Sequence, residues 1–264
     1  ERGEYRRPAE TVVPNVPEGL HPLNPNRPAD RLALAHWLAD RRNPLTARVI
    51  VNRVWQQYFG RGLVATPEDF GIQGEEPSHP QLLDWLAVEF VERGWSLKSL
   101  HRTIVLTRAY RRDSANRADL AEKDPDNRLL ASFPLRRLDF EQLRDAQLAV
   151  TGELESRIGG SPSGLLEPSN QRRSVYGLVD RQFLPGVLRT FDFANPDMST
   201  GERIMTTVPQ QALFYMNSPL VIEQARRIVA EKSFKALTDE KEKVRFLYDR
   251  IYQRLPKDEE LQLG

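Results

Sequence analysis

Arg173, Tyr176, Arg181, Asp192 and Arg203 are the residue types that bind or turn over a polar ligand, and they gather ahead of the segment TTVPQQAL. Arginine clamps a carboxylate or phosphate through two parallel N–H bonds, aspartate serves as base or metal ligand, and tyrosine stacks on a sugar. The favoured reading of the same residues is an internal arginine–aspartate network that holds irregular backbone to helices. Glu68 and Asp69, beside a glycine-rich run, are weaker candidates. Glycoside hydrolysis requires only two carboxylates a few ångström apart. With 37 acidic residues that requirement discriminates nothing.

Most other chemistries lack their residues. His21, His36, His79 and His101 are scattered, with no H-E-x-x-H and no pair four apart, so no metal site is expected. There is no cysteine, which removes disulfides, thiolate ligands and C-x-x-C-H haem attachment. Asp124-Pro125-Asp126-Asn127 is a turn whose alternating acids suggest calcium, but the glycine and distal glutamate of a calcium loop are missing. Residues 159–170 (GGSPSGLLEPSN) form a flexible loop, without the Lys-Ser/Thr of a phosphate loop. No G-x-S-x-G elbow is present. No cofactor is expected.

The charge balance, 38 basic against 37 acidic residues, gives a net charge of +1. No global field therefore attracts nucleic acid or acidic lipid. Arginine pairs such as Arg111-Arg112, Arg136-Arg137 and Arg172-Arg173 suit carboxylate pairing; a phosphate or acidic-glycan surface is the sharper alternative. No apolar run is long enough to cross a membrane.

The elements that must position these side chains are helices. Asn43-Pro44 opens one, with Leu45, Val49, Ile50, Val54, Trp55, Tyr58 and Phe59 on its apolar face and Gly60 at its end. Ser78-His79-Pro80 opens a second, with Leu82, Leu83, Trp85, Leu86, Phe90 and Val91 inward, stopped by Gly94. Ser96 caps a third that carries Leu97, Leu100, Ile104 and Val105. The loop from Gly60 to Pro77 between the first two is long enough to shape a surface site. Asp30 to Arg42 is an earlier helix with Leu32, Leu34, Ala35, Trp37 and Leu38 inward and a partly buried His36. Asp139 and Gln142 form a capping box for a helix running to about Val150. Helices at Pro209, at Pro219 and near Thr238 follow, the last burying Val244, Leu247, Tyr248, Ile251 and Leu255.

The fold expected is mainly α: many helices around one core, with a small β element near residues 172–193. Residues 1–28 read as a proline-rich arm or linker and residues 29–264 as the helical domain. The chain ends on what reads as the first turn of a further helix, the pattern of a truncated C-terminus.

The stretches NPLTARVIVNRVWQQYFGRGLVATPEDFG, HPQLLDWLAVEF, GWSLKSLHRTIVLTRAY, RRSVY and TTVPQQALFYMN resemble the C-terminal domain of unknown function (DUF1553, PSD type) of large planctomycete-type proteins. The resemblance runs from about Pro22 to the end. It implies an exported, extracytoplasmic parent chain in which a second uncharacterised domain, and often a cytochrome-c-like domain, lies upstream as partner. It supplies no catalytic residue. The expected role is a non-catalytic binding or scaffold module that touches glycan; a polysaccharide hydrolase is the alternative.

Overall fold

The computed structural model describes residues 10–114 and 122–263, which hold eleven α-helices and no strand. The protein is mainly α. The first nine residues of the expected arm and residues 115–121 of the polar stretch after Tyr110 lie outside the described residues. Two compact units divide between Arg136 and Arg137. Among the described residues, one cluster of buried apolar side chains lies in each unit, where the sequence suggested a single core. No described residue between Leu106 and Asp139 is helical.

In the first unit, α1 (Arg31–Leu38) is capped by Asp30, whose carboxylate accepts the Ala33 N–H at 2.8 Å. It buries only Ala33 and Trp37, which lie four residues apart. Leu32, Leu34, Ala35 and Leu38, expected inward, are exposed, and so is His36. The buried imidazole is His21, stacked on Trp37 with ring centroids 5.1 Å apart. The Trp37 indole N–H donates to the His21 carbonyl at 2.6 Å, which ties the described part of the arm to α1. Beside it, hydrogen bonds from the Arg42 guanidinium and N–H hold the Asp40 carboxyl well below the usual carboxylate range.

Helix α2 (Thr46–Phe59) begins beyond Asn43-Pro44, but Asn43 still accepts the N–H groups of Leu45 and Thr46 at 3.0 and 3.3 Å. Ala47, Val51, Trp55 and Phe59, at every fourth residue, form its buried stripe; Ile50, Val54 and Tyr58 flank it. The β-branched run 49–51 is helical because this face is buried, and packing outweighs strand propensity. Helix α3 (Pro80–Glu92) packs on α2 through Leu83, Leu86 and Phe90, which leaves Trp85 exposed on its far side. Helix α4 (Leu97–Val105), capped by Ser96 at 3.3 Å from the Ser99 N–H, adds Leu100 and Ile104. Beyond α4, Phe59 meets the rings of Tyr110 and Phe133 at 6.3 and 5.9 Å, so irregular chain is anchored to the last turn of α2.

In the second unit, α5 (Phe140–Val150) carries the expected capping box of Asp139 and Gln142. Short α6 (Gly186–Thr190), α7 (Pro209–Asn217), α8 (Pro219–Ala230), α9 (Lys232–Lys235), α10 (Glu240–Tyr252) and α11 (Asp258–Leu263) follow. Phe140, Leu165, Leu188 and Phe191 form the core with Phe214 and Tyr215 against them. Helix α10 buries none of its residues fully, and Ile251 and Leu255, expected inward, are exposed.

The expected β element at 172–193 is absent among the described residues. Ser174–Tyr176 is one turn of 3-10 helix, residues 186–190 are α6, and only two isolated bridges occur there, Glu155 with Arg172 and Ser163 with Gly177. The alternation is real, since Arg172 and Ser174 are buried while Arg173 and Val175 are exposed. The inward residues meet side chains and loop backbone instead of a partner strand.

At the end of the chain, hydrogen bonds from the Arg254 guanidinium and the Lys257 N–H hold the Glu260 carboxyl at about 2, below its ordinary 4.5. A depressed carboxylate stabilises the fold above its ordinary value, and that contribution is lost as pH falls through the folded value. The Glu260 carboxyl carbon is therefore expected to titrate by NMR near pH 2, with α11 fraying across the window between 4.5 and 2. A midpoint at or above 4, measured by the same titration, would show that the Arg254 pair does not form in solution.

Candidate functional site

The first unit contains a cavity of about 250 Å³, shaped by three segments. The last turn of α2 supplies Trp55 and Phe59, both buried. The turn Gly60-Arg61-Gly62-Leu63 forms one wall, and residues 126–136 form the other.

Each wall is fixed by its own hydrogen bonds. Gly60 ends α2 at φ +81, a conformation that favours glycine, and the Arg136 side chain packs against it. Asn52, fully buried on α2, grips Val64 at both backbone groups: its amide N–H donates to the Val64 carbonyl at 2.9 Å, and its carbonyl accepts the Val64 N–H at 2.9 Å. The Ser78 N–H donates to the Leu63 carbonyl at 2.8 Å. On the other wall, Asp124 accepts the N–H groups of Arg128 and Leu129 at 2.8 and 2.7 Å. Asn127 donates to the Ser132 carbonyl at 2.8 Å and accepts its N–H at 3.2 Å. The Asp124 oxygens are thus engaged by backbone, and no group of three metal-binding side chains occurs among the described residues. Asn127 and Leu130 lie at φ +50 and +54. For leucine this is an uncommon conformation that the surroundings must enforce.

The rim is cationic. Arg61 and Arg128 approach the same carboxylate, Glu75, at 3.2 and 3.8 Å. Arg136 donates to the Gln57 carbonyl at 2.7 Å and has no carboxylate partner among the described residues. Asp126 is the one acidic side chain in the lining.

The residues first considered for chemistry are largely committed to the fold. Arg203 forms two hydrogen bonds to Glu141 at 2.8 and 3.1 Å and lies 4.6 Å above the Phe193 ring. Asp192, at φ +57, accepts the Thr206 N–H and hydroxyl, each at 2.8 Å. These two border one narrow cleft with Arg137 and Gln211. Arg181 pairs with Asp197 at 2.8 Å, and the Tyr176 ring lies under Arg172 at 4.4 Å. Arg173 is exposed. Glu68 is exposed, while Asp69 closes its own loop by accepting the Gly71 N–H at 2.7 Å. Of the five, Asp192 and Arg203 line that cleft, and Arg173, Tyr176 and Arg181 do not.

The polar centre of the second unit is Arg144, which belongs to no motif in the sequence. Its buried guanidinium donates to the carbonyls of Leu165, Asn170 and Arg172 and, at 3.3 Å, to the Ser174 hydroxyl. Asp145 accepts the Ser174 N–H and hydroxyl at 2.8 and 2.7 Å. Burial lowers the Arg144 pKa, and Asp145 opposes that shift. Of the cavity arginines, the sequence singles out Arg136, in a pair, and not Arg61 or Arg128. The nearest signal for Arg61 was the Gly60-Arg61-Gly62 triplet.

The model of the protein family PSD1, described as a protein of unknown function (DUF1553), matches residues 30–264. No curated protein and no solved structure matches the chain. The cavity, lined by residues 55–136, lies wholly inside the matched span. A more open depression of about 440 Å³ beside Trp37 and Asp40 draws part of its wall from residues 22–27, ahead of that span.

Proposed function

This chain belongs to the PSD1 (DUF1553) family of proteins of unknown function, and from that premise we propose that it is a non-catalytic binding module whose ligand site is the cavity at the end of α2. The observation that carries the reading is a preformed cavity with an apolar floor, an arginine rim and walls locked by Asn52 and Asn127. Preformed concave sites with a few placed polar groups are the usual form of a ligand pocket. The enforced left-handed Leu130 in its wall adds support, because such strain concentrates at functional positions. Hydrolysis of a polysaccharide is the weaker alternative, since Asp126 has no second carboxylate beside it in the lining. The resemblance supports an extracytoplasmic, multidomain parent whose upstream domains are partners of this module. The near-neutral charge argues against nucleic acid, and no helix among the described residues is long and apolar enough to cross a membrane.

A thermal-shift screen against neutral glycans, acidic glycans and divalent cations tests the reading. A ligand at ~100 times its dissociation constant adds about 2.7 kcal/mol, and each kcal/mol raises the midpoint by about 2–4 °C at this size. A shift of several degrees is expected, abolished by Leu135→Trp, which places a large ring on the cavity lining from an exposed position. A shift that survives Leu135→Trp moves the site elsewhere. Glycan turnover that disappears in Asp126→Asn establishes the hydrolase reading in its place.

A further inference from the structure

We infer that the cavity takes a single hydroxylated ring bearing a carboxylate, the uronate class of sugar, presented by an acidic polysaccharide. This rests on the reading of the cavity as the ligand site. Arg61, Arg128 and Arg136 line the cavity with one acidic side chain, Asp126; outside the lining, Glu75 is shared by the Arg61 and Arg128 guanidiniums, while Arg136 has no carboxylate partner among the described residues. One negative group on a ligand completes that balance. A carboxylate is planar and accepts two parallel N–H bonds from a guanidinium, a geometry that an ammonium cannot supply.

The remaining lining selects for a ring with hydroxyls. Asp126 accepts O–H donors, which a simple anion lacks. Trp55 and Phe59 offer an apolar floor for the C–H face of a pyranose. The volume of about 250 Å³ falls below the roughly 300–1,000 Å³ of pockets that enclose a drug-sized molecule, so one sugar unit fits and an oligomer must leave through the open mouth.

The test is a titration of the whole chain by NMR, following the Gly60 and Gly62 amides, with glucuronate, galacturonate, the corresponding neutral sugars and inorganic sulfate. Saturable shifts with a uronate are expected, with neutral sugars and sulfate at least tenfold weaker and uronate binding weakened by added salt. Arg128→Ala is the informative variant, since Arg128 is half-exposed and its only carboxylate contact is the 3.8 Å approach to Glu75. It should weaken the uronate about tenfold or more, with neutral-sugar binding and the unfolding midpoint unchanged. Arg128→Lys should recover only part of that loss, and Arg245→Ala, in the other unit, should leave uronate binding unchanged. Equal binding of neutral and acidic sugars overturns the uronate inference and leaves the cavity as a ligand site. Sulfate as tight as uronate reduces the site to a bare anion site. Shifts from neither class at these amides, with no cavity-dependent hit in the thermal screen, overturn both readings.

Discussion

Arg144→Met is expected to remove about 3–5 kcal/mol from the stability of the second unit, the range for taking one partner out of a buried charged network. The Arg144 side chain is 0% exposed. Its guanidinium donates to the Leu165 and Arg172 carbonyls, each at 2.8 Å, and to that of Asn170. Methionine keeps much of the volume and none of the donors. Each carbonyl left buried without a partner costs about 1–3 kcal/mol, and relaxation of the loop recovers part of the sum. Arg144→Lys is expected to fall nearly as far, because one ammonium cannot span carbonyls that a planar fork holds apart. The loss should be local before it is global. The bridges Glu155–Arg172 and Ser163–Gly177 depend on the segment that Arg144 grips. Hydrogen exchange should show the Glu155, Ser163 and Leu178 amides losing protection, each of which now donates to a backbone carbonyl. All four tryptophans precede Arg136, so their fluorescence reports the first unit and serves as an internal reference. Urea unfolding that gives less than about 1 kcal/mol, with those amides still protected, would falsify the role assigned to Arg144.

Arg144 also marks where sequence and structure part. Helix ends were legible because they depend on local chemistry: Asp139 with Gln142, Ser96, and Gly60 each act within a few residues. Which face of a helix is buried depends on what the chain brings against it. On α1 the leucines lost to Ala33 and Trp37, because the covering element is the arm at His21, which carries no periodicity to read. On α5 the buried positions are Phe140, Arg144 and Leu148. Their spacing of four was visible, but an arginine in an apolar register looks like a break in the stripe. The same holds for Asn52 beside Val51 on α2. Of the residues read as an internal arginine–aspartate network, only Arg181 pairs with an aspartate, Asp197, and that pair is exposed; Asp192 accepts from Thr206 and Arg203 donates to Glu141, while Arg144 grips the backbone of the irregular segment. One wall of the cavity, in the loop that begins at Gly60, was legible as a possible surface site, but the wall opposite it was not. Arg61, Arg128 and Arg136 meet only because the rings of Tyr110 and Phe133 fold the chain back onto Phe59.

Asn52→Ala should cost about 2–4 kcal/mol, and Gly62→Ala about 1–3 kcal/mol, by opposite mechanisms at the same wall of the cavity. Asn52 is 0% exposed and supplies both hydrogen bonds of the buried Val64 peptide groups, each at 2.9 Å. Alanine leaves a donor and an acceptor without partners where water does not reach. At Gly62 the backbone is not left-handed, so the cost there is contact and not conformation. A methyl group would sit 2.5 Å from the Val64 carbonyl oxygen and 2.6 and 2.7 Å from the amide atoms of Asn52. The two effects share atoms and cannot add. Truncating Asn52 removes two of the three close contacts that the Gly62 methyl would make, and it releases Val64 to move away from the third. The double variant is therefore expected to be less destabilised than the sum of the singles, by about 0.5 kcal/mol or more. Urea midpoints of the four proteins, followed by tryptophan fluorescence, measure the coupling directly, because Trp55 lines the same cavity. Additive losses would mean that the Gly62 wall is held by something other than Asn52. A favourable coupling would make this asparagine the brace that keeps the cavity open, and ligand affinity should then fall in Asn52→Ala even though Asn52 does not line the cavity.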